Sequence, residues 1–354
     1  MFIRKFLLVA LLSCHFFGSA IFAQEVDSTL SYFLKDFQFF KPMIANLRTP
    51  QNHARFYCAD AVDFSNSTKT GKHLFFDPSF GGYFPFLGWK FADIDSNSIP
   101  LRTPGVALFL DGAAHLLLDF NTASSDVINA DYRIGGGIAG RFNWLTFLAF
   151  RYRFFHESTH IGDEYTLFAS LQPGFRRYNI SYEAHEIYLS IDHYVTKQRP
   201  IKFLNKNVSY MRAYAGTRFL SKDSYDGFTG LFESANPIIL TGKNEHQLGG
   251  EIFFRGKPAP DELSNDPWLS RLFSFQYVVF AVDLGFQDKY DISLEPSRVW
   301  STNIVLGLVY GENFRIDRGR TVRWQLNYYS GINPHGQFRN KKIRYIGLDY
   351  IIDF

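Results

Sequence analysis

Apolar and polar side chains alternate along most of this chain with a period of two. That spacing is typical of β-strands, because successive side chains point to opposite faces of a sheet. The first clear strand has Leu116 and Leu118 on one face and His115 and Asp119 on the other. Further strands are predicted over residues 129–141, 145–156, 178–193, 207–219, 247–255, 274–286, 299–313, 321–332 and 343–354. The pattern predicts ten strands, or twelve if residues 74–110 supply a pair.

The composition agrees with a barrel that is apolar outside and polar inside. The chain has 39 Phe and 20 Tyr, and aromatic residues make up 18% of it, yet its mean hydropathy is only −0.13. Lipid-facing aromatic side chains combined with a polar lumen explain both values. No segment after the N-terminus approaches the roughly 18 continuous apolar residues of a membrane helix. We therefore predict an all-β fold, an antiparallel transmembrane β-barrel of ten to twelve strands with an irregular N-terminal segment.

The N-terminus has the features of a secretory signal peptide. Arg4 and Lys5 precede an apolar run, and small residues between Gly18 and Ala23 offer cleavage sites. We expect residues 1–23 to be removed on export. Residues 24–110 are then an N-terminal segment that acts as an entry segment, a plug or a first strand pair. Residues 111–354 are expected to form the barrel.

Charge and cysteine content exclude two classes of protein. The chain has 37 basic and 34 acidic residues, and loss of Arg4 and Lys5 with the signal peptide leaves 35 against 34. Such a balanced chain lacks the basic field that nucleic-acid binding requires. Cys58 is the one cysteine after residue 23, so we expect neither an intrachain disulfide nor a thiolate metal site.

The last predicted strand carries the most specific structural signal. Its apolar positions, two residues apart, are Ile346, Leu348, Tyr350, Ile352 and Phe354. This pattern resembles the C-terminal assembly signal of bacterial outer-membrane barrels. The resemblance implies that the barrel assembly machinery recognises this strand and inserts the chain into the bacterial outer membrane, among outer-membrane lipids.

Reactive side chains concentrate directly after the predicted strand over 145–156. Outer-membrane barrels keep both termini in the periplasm and alternate short periplasmic turns with longer external loops. Counting strands back from Phe354 makes the 142–144 turn periplasmic, so the strand over 145–156 ends at the external rim. The reactive cluster is therefore expected near the outer leaflet.

The side chains with catalytic potential in this cluster are His156, Ser158, His160, Asp163 and Glu164. If the strand continues without a bulge, the histidines and the serine face lipid while Glu157 and Thr159 point inward. A histidine beside a serine acts as general base toward the hydroxyl, and a carboxylate beyond the Gly162 turn orients the imidazole. This arrangement predicts hydrolysis of an acyl ester. The sequence leaves the cofactor unknown.

The His156-x-Ser158 pair resembles the sites of outer-membrane phospholipase A and of the barrel-type lipid A deacylases. Those enzymes place such a pair on the barrel exterior, so the resemblance implies a lipid acyl ester as substrate. The chain departs from the phospholipase pattern at Thr159, because the phospholipases usually carry an asparagine shortly after the serine.

A broader resemblance is to an uncharacterised family of bacterial outer-membrane proteins, a domain of unknown function. It covers most of the chain after the signal peptide. The matching pieces are residues 40–50, 128–132, 156–165, 181–183 and 336–338. The resemblance implies a barrel in the outer membrane and no particular chemistry.

Zinc chemistry is a second interpretation of the cluster. His156-Glu157-x-x-His160 satisfies the motif H-E-x-x-H, which requires a helix so that both histidines share a face and the glutamate acts as base. Glu183 or Glu186 would then be a third ligand.

The third interpretation is that the cluster has no catalytic role. Its polar groups would then form a hydrogen-bonded rim on a structural or pore-forming barrel. Asp163 and Glu164 would in that case bind a cation that bridges lipopolysaccharide phosphates.

Deletion of Phe354 should impair assembly, because the terminal aromatic completes the apolar face of the last strand. The measurement is the amount of membrane-inserted, heat-modifiable protein in cells that express the full or the shortened chain. Equal amounts would contradict the assembly-signal interpretation.

Overall fold

The structure is a computed structural model that describes residues 30–32, 38–60, 71–91, 104–122, 125–170, 176–194, 207–229, 233–234, 244–256, 274–289, 297–310, 321–339 and 341–353. The predicted signal peptide and Phe354 lie outside these residues. One α-helix, α1 (Asp163–Ser170), and a 3₁₀ turn (Gly336–Phe338) occur in the described ranges. No helix in those ranges is long and apolar enough to cross a membrane.

Fourteen strands of the described chain form one antiparallel sheet. They are β1 (Leu30–Tyr32), β2 (Asn52–Asp60), β3 (Lys72–Lys90), β4 (Gly105–Asp119), β5 (Val127–Arg141), β6 (Leu148–Ile161), β7 (Arg176–Tyr194), β8 (Val208–Thr229), β9 (Glu233–Ser234), β10 (Asn244–Arg255), β11 (Tyr277–Lys289), β12 (Ser297–Tyr310), β13 (Thr321–Ile332) and β14 (Lys342–Asp353). Neighbours pair in chain order, and β14 pairs with β2 to close a ring of twelve strands. The short strands β1 and β9 pair with β3 and β8 outside this ring. The predicted antiparallel barrel is confirmed, at the upper limit of the predicted strand number.

The two faces of the barrel wall have opposite polarity. On β6 the inward side chains Arg151 and Arg153 are at most 5% exposed, and Phe150 and Phe154 precede and follow them on the outer face. Large apolar side chains exposed on the outer wall include Phe80, Phe84, Leu110, Ile134, Leu248, Leu306, Leu326 and Ile346. An apolar exterior around a charged interior reverses the arrangement of a protein in water and matches a lipid surrounding.

The barrel begins earlier in the chain than the boundary at residue 110. The extra strand pair is β2 and β3, but β2 precedes residues 74–110, where the pair was expected. Residue 110 falls inside β4, which begins at Gly105. Alternation is hard to recognise here because Pro78 and Pro85 interrupt the sequence of β3. The register against β4 shifts between Pro85 and Leu87, a position at which a strand tolerates a residue without an N–H group.

β8 is longer than the strand that alternation predicts over residues 207–219. It continues through Thr229 because its last residues pair with the first half of β7. One register shift interrupts this pairing, and the extra residue is Ser221 on β8. The inward and outward faces of β7 alternate without interruption from Tyr182 to Asp192.

The segment that precedes β2 lies inside the barrel. Residues 38–51, here called the inner segment, bury Phe39, Phe40, Met43 and Leu47. Arg212 of the wall donates hydrogen bonds to the carbonyl oxygens of Lys41 and Pro42. Asn303 Nδ2 donates to the carbonyl oxygen of Ala45 over 2.7 Å. These bonds satisfy backbone groups that have left the sheet, so the inner segment is the plug among the predicted alternatives.

A second segment enters the lumen from the connection between β13 and β14. Residues 333–339, here called the inner loop, are almost entirely buried and contain the 3₁₀ turn. The N–H group of Gly336 donates to the carboxylate of Asp131, and that of Gln337 donates to Asn129 Oδ1. Phe338 packs in the same apolar cluster as Leu47 of the inner segment. The two segments therefore meet inside the wall and support each other.

Alanine at Gly336 should destabilise the inner loop. An added Cβ would overlap Thr159 Oγ1, which belongs to a buried side chain on the wall. Overpacking of this kind costs about 1–3 kcal/mol, so the midpoint of thermal unfolding should fall. Gly250→Ala is the matched control, since its nearest neighbour would be the Arg212 carbonyl at an ordinary 3.6 Å. Equal midpoints for the two variants would contradict the predicted overlap.

Candidate functional site

β6 carries the reactive side chains on the faces that the alternation predicts. His156 and Ser158 are half-buried on the outer face, and His160 follows on that face, exposed. Glu157 and Thr159 point into the lumen and are each 2% exposed. The strand has no bulge in this stretch, because its register against β5 is continuous. His156, Ser158 and His160 therefore all face outward.

The closest imidazole to the serine is that of His160. Ser158 Oγ lies 3.1 Å from His160 Nε2. His156 Nε2 lies instead 3.5 Å from the hydroxyl of Ser181, which is on β7. Ser158 and Ser181 are direct cross-strand partners, so one outer patch contains two serine–histidine pairs side by side. A neutral histidine whose Nε2 is unprotonated could accept the Ser158 proton at this distance.

Of the two carboxylates expected to orient an imidazole, Asp163 is the one whose side chain the structure describes, and it does not reach these rings. Asp163 is the first residue of α1 and is exposed, and no hydrogen bond joins it to His160. Glu164 also lies in α1, and its side chain is outside the described part. The His160 ring packs edge-on against Tyr132, with centroids 5.7 Å apart. Sequence inspection missed Tyr132 and Ser181, although both are the cross-strand neighbours of Ser158 that a paired-strand prediction would have located.

The zinc interpretation of His156-Glu157-x-x-His160 conflicts with the local backbone. The motif lies on a strand, where residues four apart are separated by about 13 Å. Glu157 points to the opposite face, and Glu186 is buried in the lumen against Arg153. No group of three or more potential ligand side chains in the described chain is arranged to hold a metal ion.

Inside the wall, Glu157 is the centre of an ion-pair network. It pairs with Arg133 on β5 and, over 3.2 Å, with Arg48 of the inner segment. Arg48 also contacts Asp131 over 3.0 Å. Burial lowers the pKa of Arg48, but the carboxylates of Glu157 and Asp131 outweigh that effect, so its pKa is raised above the usual value. Arg48 therefore remains charged and fixes the inner segment to β5 and β6.

A second ion-pair network fixes the inner loop. Glu245 on β10 accepts from Arg218 on β8 over 2.6 Å and from Arg339 of the inner loop over 2.5 Å. Arg218 also contacts Glu186 over 3.5 Å, and that carboxylate is shared with Arg153. Removal of one partner from such a pair leaves a buried charge without compensation, at a cost of about 3–5 kcal/mol. The inner loop is thus held inside the wall by charged contacts as well as by packing.

A cavity of about 100 Å³ remains between the inner segment and the inner loop. Its lining includes Asn46, Arg48, Arg133, Glu157, Arg218, Glu245, Asp283, Asn303 and Arg339. Sequence inspection gave no sign of it, because its walls come from eight strands and both inner segments.

Comparison with solved structures finds outer-membrane proteins at low similarity. The β domain of the Bordetella autotransporter BrkA matches with a TM-score of 0.33 and 10% identity, over 86% of this chain and 99% of that chain. OccAB3 of Acinetobacter baumannii matches with a TM-score of 0.25 and 9% identity, over 85% and 97%. OccK7 of Pseudomonas aeruginosa matches with a TM-score of 0.24 and 8% identity, over 85% and 96%. Overlaps this loose carry no argument about function.

Sequence comparison identifies the family. No curated protein matches the chain. A family model described as "Protein of unknown function (DUF1207)" matches residues 18–198, which is just over half of the chain. The predicted resemblance to an uncharacterised family is confirmed, whereas none of these matches supports the local likeness to phospholipase A. The chain is a member of the DUF1207 family of proteins of unknown function.

Proposed function

We propose that this protein is an outer-membrane barrel that hydrolyses acyl esters of outer-leaflet lipids. Ser158 is the nucleophile and His160 is the general base. The observation that carries the proposal is the distance of 3.1 Å between Ser158 Oγ and His160 Nε2 on the outer face of β6. The sequence analysis favoured His156 as the base, but His156 faces Ser181 instead.

The outer wall supports placement in a lipid bilayer. Exposed large apolar side chains occur on strands around the ring, from Phe84 on β3 to Leu248 on β10 and Ile346 on β14. Such a continuous apolar surface is stable only when lipid or another apolar phase covers it. A serine on the same face meets the acyl chains of the bilayer directly.

Because two segments occupy the lumen, a functional site on the outer face of the barrel is favoured. The inner segment and the inner loop occupy the interior, and their arginines pair with wall carboxylates. Ser158 lies on the other side of the wall, where an ester in the surrounding leaflet reaches it directly.

The proposed reaction uses one proton relay. His160 Nε2 accepts the hydroxyl proton while Ser158 Oγ forms a bond to the ester carbonyl carbon. The bond between that carbon and the alcohol oxygen then breaks, and the imidazolium returns the proton to the departing oxygen. Water repeats the sequence on the acyl-enzyme and releases a carboxylic acid. The edge-on contact with Tyr132 makes this tyrosine a positioning residue for the imidazole.

A second candidate function is a non-enzymatic barrel, which the ion-paired interior favours. Such a protein would need neither Ser158 nor His160. Its cation-binding form, through Asp163 and Glu164, remains a prediction because the Glu164 side chain lies outside the described residues.

Substitutions in the two serine–histidine pairs separate these functions. Ser158→Ala should remove nearly all release of fatty acid from vesicles of phospholipid and lipopolysaccharide, because no nucleophile remains. His160→Ala should reduce turnover by about 10²–10⁴-fold, the usual contribution of a general base. His156→Ala is the matched control and should retain most activity. If the wild-type barrel releases no more fatty acid than vesicles alone, the non-enzymatic function is correct. Loss with His156→Ala but not with His160→Ala would reassign the base.

Arg48→Gln should open the lumen to ions. The substitution leaves Glu157 and Asp131 without the cation of the inner segment, a loss of about 3–5 kcal/mol for a buried pair. We expect larger single-channel conductance in planar bilayers than for the wild type. Lys72→Gln, on an exposed lysine at the start of β3, is the control for the lost charge. If Arg48→Gln and Lys72→Gln conduct equally, Arg48 does not hold the plug.

A further inference from the structure

We infer that His115 is a pH sensor whose protonation releases the inner segment and the inner loop from the barrel wall. His115 lies inside the barrel, whereas Ser158 and His160 lie on the outer face. The inference is therefore independent of the proposed hydrolysis, and each can fail without the other.

Asp131 on β5 holds both the inner segment and the inner loop. Arg48 of the inner segment contacts Asp131 Oδ2 over 3.0 Å. The N–H group of Gly336, in the inner loop, donates to the same oxygen over 3.2 Å. The Asp131 side chain is fully buried, so its charge depends on these protein contacts for compensation. A group that competes for this carboxylate therefore acts on both segments at once.

His115 on β4 is placed to be that competitor. It is the direct cross-strand partner of Asp131, and both side chains are buried on the inner face of the wall. The Cβ atoms of such partners are about 4.5–5.5 Å apart, which is within reach of an imidazole. His115 Nε2 is buried and has no hydrogen-bond partner in the described part of the chain. His115 is therefore a buried proton acceptor beside the carboxylate that both segments share.

Cations lie around His115 on the side of the inner segment. Arg48 contacts Asp131, and Arg133 follows Asp131 on the same inward face of β5. Both guanidinium groups act electrostatically on the His115 imidazole. A proton on His115 would add a third positive charge in a place with little water. It would therefore repel Arg48, the residue that fixes the inner segment.

The neighbouring histidines differ, because a carboxylate beside them compensates a proton locally. The His53 ring lies 6.2 Å from that of His115. His53 Nε2 lies 4.0 Å from Asp77, and His335 Nε2 lies 3.5 Å from the same carboxylate. Asp77 also contacts Arg55 over 3.1 Å. Protonation of His53 or His335 thus adds an ion pair, whereas protonation of His115 acts against one.

Protonation converts His115 from a neutral neighbour into a competitor of Arg48. The imidazolium donates to Asp131 and repels Arg48, so the contacts of Asp131 with the inner segment and with Gly336 weaken. In the released state water surrounds the imidazole, which then takes up a proton below about pH 6.5, the ordinary pKa of histidine. The released state thus binds one proton more than the docked state. The docked state therefore loses stability as the pH falls, by at most about tenfold in the equilibrium constant per pH unit.

Single-channel recording of the full barrel in planar bilayers tests the inference between about pH 7.5 and about pH 5.5. Wild-type conductance should rise below about pH 6.5, because the two segments then leave the lumen. His115→Gln keeps a polar side chain that takes up no proton, so its conductance should stay low throughout. His185→Gln removes an imidazole from the outer face of β7 and is the matched control, which should respond as the wild type does. The inference is overturned if wild-type conductance is the same at both ends of this range, or if His115→Gln keeps the rise.

Hydrogen–deuterium exchange of the wild-type barrel in detergent decides the question if His115→Gln fails to fold. The probes are amides of the inner segment, among them that of Ile44, which donates to Glu251. The reference is β10, which pairs with a strand on each side. After correction for the intrinsic effect of pH, exchange of the inner segment relative to β10 should rise by up to about tenfold per pH unit below about pH 6.5. An unchanged ratio over the same range would overturn the inference.

Discussion

The buried ion pairs between the wall and the two inner segments are the interactions on which the other features of this barrel depend. A charged side chain inside a filled lumen has little water around it, so it is stable only beside an opposite charge. Arg48 meets this requirement for Glu157 and Asp131, and Arg339 meets it for Glu245. These pairs fix the inner segment and the inner loop, which occupy the lumen and leave a cavity between them.

The faces of the strands could be predicted from the sequence because they depend on local alternation alone. The outward position of His156, Ser158 and His160 follows from the parity of Phe150 and Phe154 on the same strand. The closed antiparallel architecture also follows, since many strands that alternate in this way bury their polar faces only against one another. Both features follow from the alternation within individual strands and do not require knowledge of which residues contact one another.

Contacts between distant parts of the chain could not be predicted in this way. Ile44 N donates to Glu251 Oε1, 207 residues away, and nothing in either local sequence indicates that pair. The choice of His160 over His156 as partner of Ser158 depends on side-chain rotamers and on Ser181, which belongs to the next strand. Proline in β3 concealed a strand whose backbone is regular apart from one register shift.

The positions of the two inner segments in the chain restrict the order of assembly. The inner segment precedes the first strand of the ring, and the inner loop precedes the last one, so both flank the seam where β14 meets β2. Once that seam has closed, both segments can enter the interior only through an end of the barrel. Insertion is therefore easier while the ring is still open. Pairings over such long sequence separations are slow to form, so we expect seam closure to be the late, rate-limiting event of folding.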